Sequence, residues 1–220
     1  MNLMDFENAR FNMIEQQIRP AEVLEPAVLN AIARTPREEF VPPTYRQLAF
    51  VDSHIPLGRD QVMMTPIQEG RMLQTLQIKP TDKILEIGTG SGYLTALLAR
   101  LGTHVYSVDI HQEFVGAAQN KLTKAGVTNI TLDIGDASNG WDAHGPYDVI
   151  AVTGSLPLLP EAMKHSLTLG GRLCAIIGDA PVMECTLVTR RGNSEWHREA
   201  VFETELPSLL NAAQPQRFVF

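Results

Sequence analysis

Only two of the 220 residues are cysteine, and no Cys-x-x-Cys spacing occurs. A disulfide-framed secreted domain and a cysteine-rich zinc site are therefore excluded. Cys174 falls in an apolar strand-like run and Cys185 in an alternating one, so both are expected as reduced side chains of a sheet. The six histidines are scattered and form no His-Glu-x-x-His pair, which leaves no metal site to propose. Basic residues are in deficit, with 18 Lys and Arg against 25 Asp and Glu, a formal charge of −7. That balance argues against nucleic-acid binding, which draws on clustered cations. No apolar run is long enough to span a bilayer, and the opening residues carry neither the basic nor the long apolar part of a secretory signal. The expected location is the cytoplasm, with no membrane partner. A Gly-x-Ser-x-Gly elbow and a phosphate loop ending in Lys-Ser/Thr are both missing, which removes the hydrolase and kinase readings. Repeats and low-complexity tracts are absent as well.

What is present centres on Lys83-Ile-Leu-Glu-Ile-Gly-Thr-Gly-Ser-Gly-Tyr-Leu-Thr-Ala-Leu-Leu-Ala99, where a short apolar run becomes a helical pattern across three glycines. Gly88, Gly90 and Gly92 have no Cβ, so a ligand can lie directly against the backbone, and the new helix offers it free N–H groups. A dinucleotide fingerprint would need glycine at position 93, which is Tyr93. The next apolar strand, residues 104–109, ends in Asp109 about 20 residues past the first glycine, as ribose binding in a nucleotide-type fold requires. An Asp there also suits a helix N-cap.

The chain is long enough for one integrated α/β unit. We expect a helical extension and substrate-covering loop over 1–80, and an α/β core over 81–220. Phe6, Phe11, Ile14 and Ile18 suit a first amphipathic helix ending near Pro20, and Val28, Leu29 and Ile32 a second between Pro26 and Pro36. Phe40 and Val41 anchor a Pro-bounded loop. Residues 52–66 read as a loop, apolar at Val62, Met63 and Met64, followed by a helix over 67–77 with Met72, Leu73 and Leu76 inward. Beyond Asp109, a helix through Phe114, Ala118 and Leu122 leads to a strand over 129–134. A fourth strand covers 147–153, with 154–157 leaving it toward the reaction face and Thr153 a substrate-side hydroxyl. A helix holding Ala162, Met163 and Leu167 precedes a fifth strand over 170–178. Residues 186–190 and 196–206 then flank Arg191-Gly-Asn-Ser194 as an antiparallel hairpin, and the role of 217–220 stays open.

The spacing Glu86-x-Gly88-x-Gly90-x-Gly92 resembles the first motif of class I S-adenosylmethionine-dependent methyltransferases. Together, Pro36-Arg-Glu-Glu-Phe-Val, Ile55-Pro-Leu-Gly and Leu85-Glu-Ile-Gly-Thr-Gly-Ser-Gly-Tyr resemble the protein-L-isoaspartate O-methyltransferase family, in the family's order. The resemblance implies a Rossmann-like α/β sandwich, its mostly parallel sheet closed by a C-terminal antiparallel hairpin. It implies S-adenosylmethionine as cofactor, S-adenosylhomocysteine as product, and an isoaspartyl peptide or protein as partner. Cofactor contacts would come from Glu86, Gly88, Thr89, Gly90, Ser91, Gly92, Asp109, Ile110, Asp136 and Ala137, with Asp136 facing the adenine amino group. A solvated turn is the other use of an Asp at 136.

The resemblance breaks at the acceptor side. Where the family carries Thr-Ile-Ser, with the Ser hydroxyl near the reacting carboxylate, this chain has Val62-Met63-Met64. Gln61, Thr65 and Thr153 remain as candidates to position the substrate. A carboxylate nucleophile is already ionised near neutral pH, so the lack of a catalytic dyad suits carboxyl methylation. Three readings follow: an isoaspartyl methyltransferase, a methyltransferase of the same fold acting on a more apolar small molecule, and a noncatalytic S-adenosylmethionine-binding protein. Oligomeric state is not encoded in any of these features.

Overall fold

A computed structural model describes residues 3–216; residues 217–220 lie outside it. Helix α1 (Leu3–Met13) runs into a wider turn over Ile14–Ile18, and α2 (Pro26–Arg34) follows with Pro at its first turn. Phe6, Ile14 and Ile18 are buried, whereas Phe11 is 63 % exposed. Five residues past Phe6, it lies about 140° round the helix, on the face away from the core. Val28, Leu29, Ile32, Phe40 and Val41 are all buried as expected.

The segment expected as a loop contains a small antiparallel hairpin, β1 (Ile55–Gly58) and β2 (Gln61–Met63). Its two turn residues, Arg59 and Asp60, both have positive φ, 56° and 57°. That is the primed geometry whose twist suits a two-residue hairpin, usually signalled by Asn-Gly. Arg-Asp carries no such signal. Helix α3 (Pro66–Leu76) then buries Met72, Leu73 and Leu76.

The core is a seven-stranded sheet built from β3 (Lys83–Ile87), β4 (His104–Asp109), β5 (Ile130–Ile134), β6 (Tyr147–Leu156), β7 (Leu167–Asp179), β8 (Val182–Gly192) and β9 (Glu195–Glu203). The connecting helices are α4 (Tyr93–Leu101), α5 (Gln112–Lys124) and α6 (Glu161–His165). Strand order is β5-β4-β3-β6-β7-β8-β9, parallel from β5 through β7 and antiparallel thereafter. This is the Rossmann-like sheet with a terminal antiparallel pair. The order reverses between β3 and β6, and the crevice outside their carboxyl ends is where such sheets take ligands.

Two boundaries differ from expectation. β6 does not end at Thr153, because β7 outlasts β3 and supplies partners: after a register irregularity, Ser155 and Leu156 pair with Ile176 and Ile177. Leu167 is not helical; α6 stops at His165, and Leu167 opens β7 opposite Tyr147. Cys174 and Cys185 are buried free thiols on adjacent strands, their sulfurs 3.1 Å apart. No helix among the described residues is long and apolar enough to cross a membrane.

Candidate functional site

The glycine turn opens where β3 stops. Gly88, Gly90 and Gly92 all have positive φ, at 99°, 49° and 81°. Gly88 is also sterically closed to any side chain, since an added Cβ would overlap Thr153 Oγ1. Thr153 sits just beyond the last β3–β6 pair, Ile87 with Val152, and its hydroxyl donates to the carbonyl oxygens of Gly88 at 2.7 Å and Ile87 at 3.0 Å. Its hydrogen thus holds the turn, while its oxygen retains acceptor capacity toward the crevice.

Asp109, at the end of β4, completes the turn from the other side. Its two carboxylate oxygens accept the N–H groups of Gly90 and His111, each at 2.9 Å. The N-cap position of α5 belongs to His111, so Asp109 is not that helix's cap. Its carboxylate lies on the crevice wall with further lone pairs free.

Around these groups lies an open crevice of about 600 Å³, counting its mouth, lined by Gly88, Gly90, Asp109, Ile110, Asp136, Ala137 and Thr153, and by Gln61 from the hairpin. The crevice also takes residues that local sequence does not reveal: Leu57, Phe114, Leu209 and Leu210 arrive from the hairpin, α5 and the segment after β9. Arg59 at the hairpin tip pairs with Glu113 of α5 across the rim at 2.5 Å.

A second, smaller cavity of about 310 Å³ adjoins it, sharing Leu57, Val62, Gly88, Gly90 and Thr153 and adding Met63, Met64, Glu69, Glu86, Thr89 and Ser91. Glu86 is fully buried. One of its oxygens accepts from the hydroxyls of Thr95 and of Ser107, the latter at 2.6 Å, and the other oxygen has no partner among the described residues. Burial pushes its carboxyl up to about 8, against the pull of those two hydroxyls. Thr89 adds a 2.6 Å bond to Ser107, so its side chain braces this network.

Gly92 and Thr65 stand apart. Gly92 lines neither cavity and backs onto α5, where a Cβ would come within 2.9 Å of the Ala118 Cβ. Thr65 caps α3: its hydroxyl accepts from Gln68 N at 3.3 Å, and the Gln68 side chain accepts from Thr65 N at 2.9 Å. That reciprocal pair was readable in Thr65-Pro-Ile-Gln68 as a capping box.

The glycine cradle, the Asp109 carboxylate and the half-paired Glu86 fit a cofactor with a hydroxyl-bearing sugar and a cationic end. A family model described as protein-L-isoaspartate(D-aspartate) O-methyltransferase matches residues 8–207. A protein-L-isoaspartate O-methyltransferase from Koribacter versatilis is 38% identical over 190 residues, covering 86% of this chain and 85% of the relative. One from Rhodopseudomonas palustris is 36% identical over 201 residues, covering 91% and 92%. Among solved structures, a Plasmodium falciparum protein described as a protein-L-isoaspartate O-methyltransferase in complex with S-adenosyl-L-homocysteine superposes with a TM-score of 0.79 at 16% identity, over 93% of this chain and 97% of that one.

Proposed function

The chain belongs to the protein-L-isoaspartate O-methyltransferase family, and from that membership we propose that it methylates the free carboxylate of L-isoaspartyl residues in peptides and damaged proteins. S-adenosylmethionine supplies the methyl group and leaves as S-adenosylhomocysteine. The observation that carries the cofactor half is the closed turn in which Asp109 accepts from Gly90 N at 2.9 Å, beside glycines that leave the backbone bare. We assign Gly88 and Gly90 to close backbone approach, Asp109 to the ribose hydroxyls, and Asp136 with Ile110 and Ala137 to the adenine. Glu86 is assigned to the cationic amino-acid end, in keeping with its unpartnered buried oxygen.

The acceptor enters through the second cavity. A carboxylate has no proton to lose, so the work of this chain is to hold one oxygen in line with the methyl carbon and keep water away. Leu57, Val62 and Met64 supply the dry wall, and Met64 is 5 % exposed. We assign Thr153, which lines both cavities, and Gln61, which lines the larger crevice, to orient the carboxylate. Thr65, committed to its helix cap, is a supporting residue of the loop. A cytoplasmic setting for this repair chemistry is in keeping with the free thiols of Cys174 and Cys185.

The test is methyl transfer from labelled S-adenosylmethionine to an isoaspartyl peptide, with the normal aspartyl peptide as control. Base-labile label on the first peptide alone is the expected result. Cofactor binding without transfer to either peptide would remove the isoaspartyl assignment, and no cofactor binding would remove the reading of the glycine turn.

A further inference from the structure

Beyond β9 the chain turns back over the reaction face instead of leaving it. Thr204 N donates to Met183 O at 3.2 Å, Ser155 N to Pro207 O at 2.9 Å, and Leu209 N to Ser155 O at 2.9 Å, so the segment is hydrogen-bonded first to the start of β8 and then to the end of β6. Leu209 packs on Gly154, where a Cβ would lie 2.7 Å from its Cδ2, and Ala212 is buried. Anchored on both sides, Leu209 and Leu210 form the outer wall of the larger crevice.

The next residue, Asn211, reaches the adenine loop directly. It has a φ of 62°, a left-handed conformation that Asn adopts more readily than most residues. Its Nδ2 donates to Asp136 Oδ2 at 2.8 Å, while Asp136 Oδ1 accepts from Ser138 N at 2.9 Å. The backbone under Asp136 is itself fixed, because Trp141 lies against Gly135 and donates to Asp133 at 3.2 Å. With Ser138 alone, the carboxylate could still swing about its side-chain torsions. The second bond removes that freedom, and each oxygen keeps a lone pair for a ligand. The Ser138 N–H first, and Asn211 with it, hold this carboxyl below its ordinary range, so it stays an acceptor.

We infer that Asn211 is a positioning residue for the cofactor: by clamping Asp136 Oδ2 it presets the carboxylate that accepts the adenine amino group. The inference rests on the assignment of Asp136 to adenine made above. Presetting an acceptor lowers the ordering cost of binding, and only a ligand that uses the acceptor gains from it. The clamp therefore acts on a 6-amino purine and not on a 6-oxo one.

The experiment is calorimetric titration of the full chain with S-adenosylhomocysteine and with S-inosylhomocysteine, in which oxygen replaces the amino group. Asn211→Gly deletes the amide without straining the positive φ, and Asn211→Asp keeps the shape but sets a second carboxylate against Asp136. Asn211→Gly should weaken S-adenosylhomocysteine by about 3- to 10-fold, the range of one hydrogen bond, and leave S-inosylhomocysteine within about twofold. Asn211→Asp should weaken the amino ligand further. Equal losses for both ligands would make Asn211 a structural wall residue and overturn the inference, as would no loss for either. Asp136→Ala, run alongside, isolates the premise: if it does not erase the preference for the amino ligand, the adenine assignment itself is lost.

Discussion

Arg37 and Glu69 form an ion pair sealed from water, at 0% and 3% side-chain exposure. The same guanidinium donates to Met64 O at 2.7 Å and lies 4.8 Å from the centre of the Tyr93 ring. One buried cation thus joins the turn after α2, the start of α3 and the backbone of the acceptor loop. Removing one partner of such a pair is far worse than removing both. Arg37→Met should cost about 3–5 kcal/mol at neutral pH, and the double variant Arg37→Met/Glu69→Met should recover most of it. Urea unfolding of the four proteins measures the coupling; additive losses would contradict it. Burial raises the Glu69 carboxyl to about 8 against the pull of Arg37, so in Arg37→Met it rises further. Both native states then hold the proton below about 8, and the defect should stay level at lower pH and grow only as pH rises above about 8, where the parent releases it first.

Glu86 gives a second pH prediction. Its folded value of about 8 stands above the ordinary 4.5, so between those values the native state holds a proton that the unfolded chain has released. Stability from this group is fully present below about 4.5 and is lost as pH rises through about 8. Glu69 has the same sign, so the whole protein should weaken across that window. Glu86→Gln keeps an oxygen for Thr95 and Ser107 and does not titrate. Its urea midpoint should therefore fall less between pH 5 and pH 8.5 than the parent's, measured without cofactor, and parallel curves would refute the assignment.

At Gly88 the prediction is steric. Gly88→Ala drives a Cβ into Thr153 Oγ1 at a φ of 99°, so it meets an overlap and a backbone strain together. Cofactor affinity should fall by at least about tenfold, the equivalent of 1.4 kcal/mol. Adding Thr153→Ala clears the overlap but leaves the strain, so it should restore affinity only in part. Full restoration in titration calorimetry would mean that φ at this position is unimportant.

These positions show why part of the site was legible in sequence. Gly88, Gly90 and Asp109 belong to one strand–turn–helix–strand unit, and their spacing encodes the geometry because the intervening elements are regular. Leu57 and Leu209 reach the crevice, and Asn211 reaches Asp136 on its wall, through a hairpin and a returning segment, and no local pattern carries that information. Gly92 shows the converse: it belongs to the glycine spacing, yet its missing side chain makes room for Ala118. The overrun of β6 to Leu156 depends on the length of β7, a tertiary property invisible in the residues 154–156 themselves.

The acceptor loop yields the last prediction. Met64 occupies the place at which the family resemblance expects a serine, its side chain is buried in the wall of the smaller cavity, and its carbonyl is held by Arg37. Because Arg37 grips the backbone, a change of side chain at 64 should leave the loop in place. Met64→Ser then exchanges a flexible apolar group for a hydroxyl aimed into the same space. Losing the buried thioether should lower stability by about 2–4 kcal/mol, as for other large-to-small changes in a core. If the introduced hydroxyl donates one hydrogen bond to the reacting carboxylate, kcat/KM for an isoaspartyl peptide should rise by up to about tenfold, while the normal aspartyl peptide stays inert. The measurement is initial rates at saturating cofactor, at a temperature where both proteins are folded. A rate that does not rise would place the carboxylate's hydrogen bonds elsewhere, on Gln61 or Thr153, and would make Met64 a wall that this chain uses for exclusion of water instead of for contact.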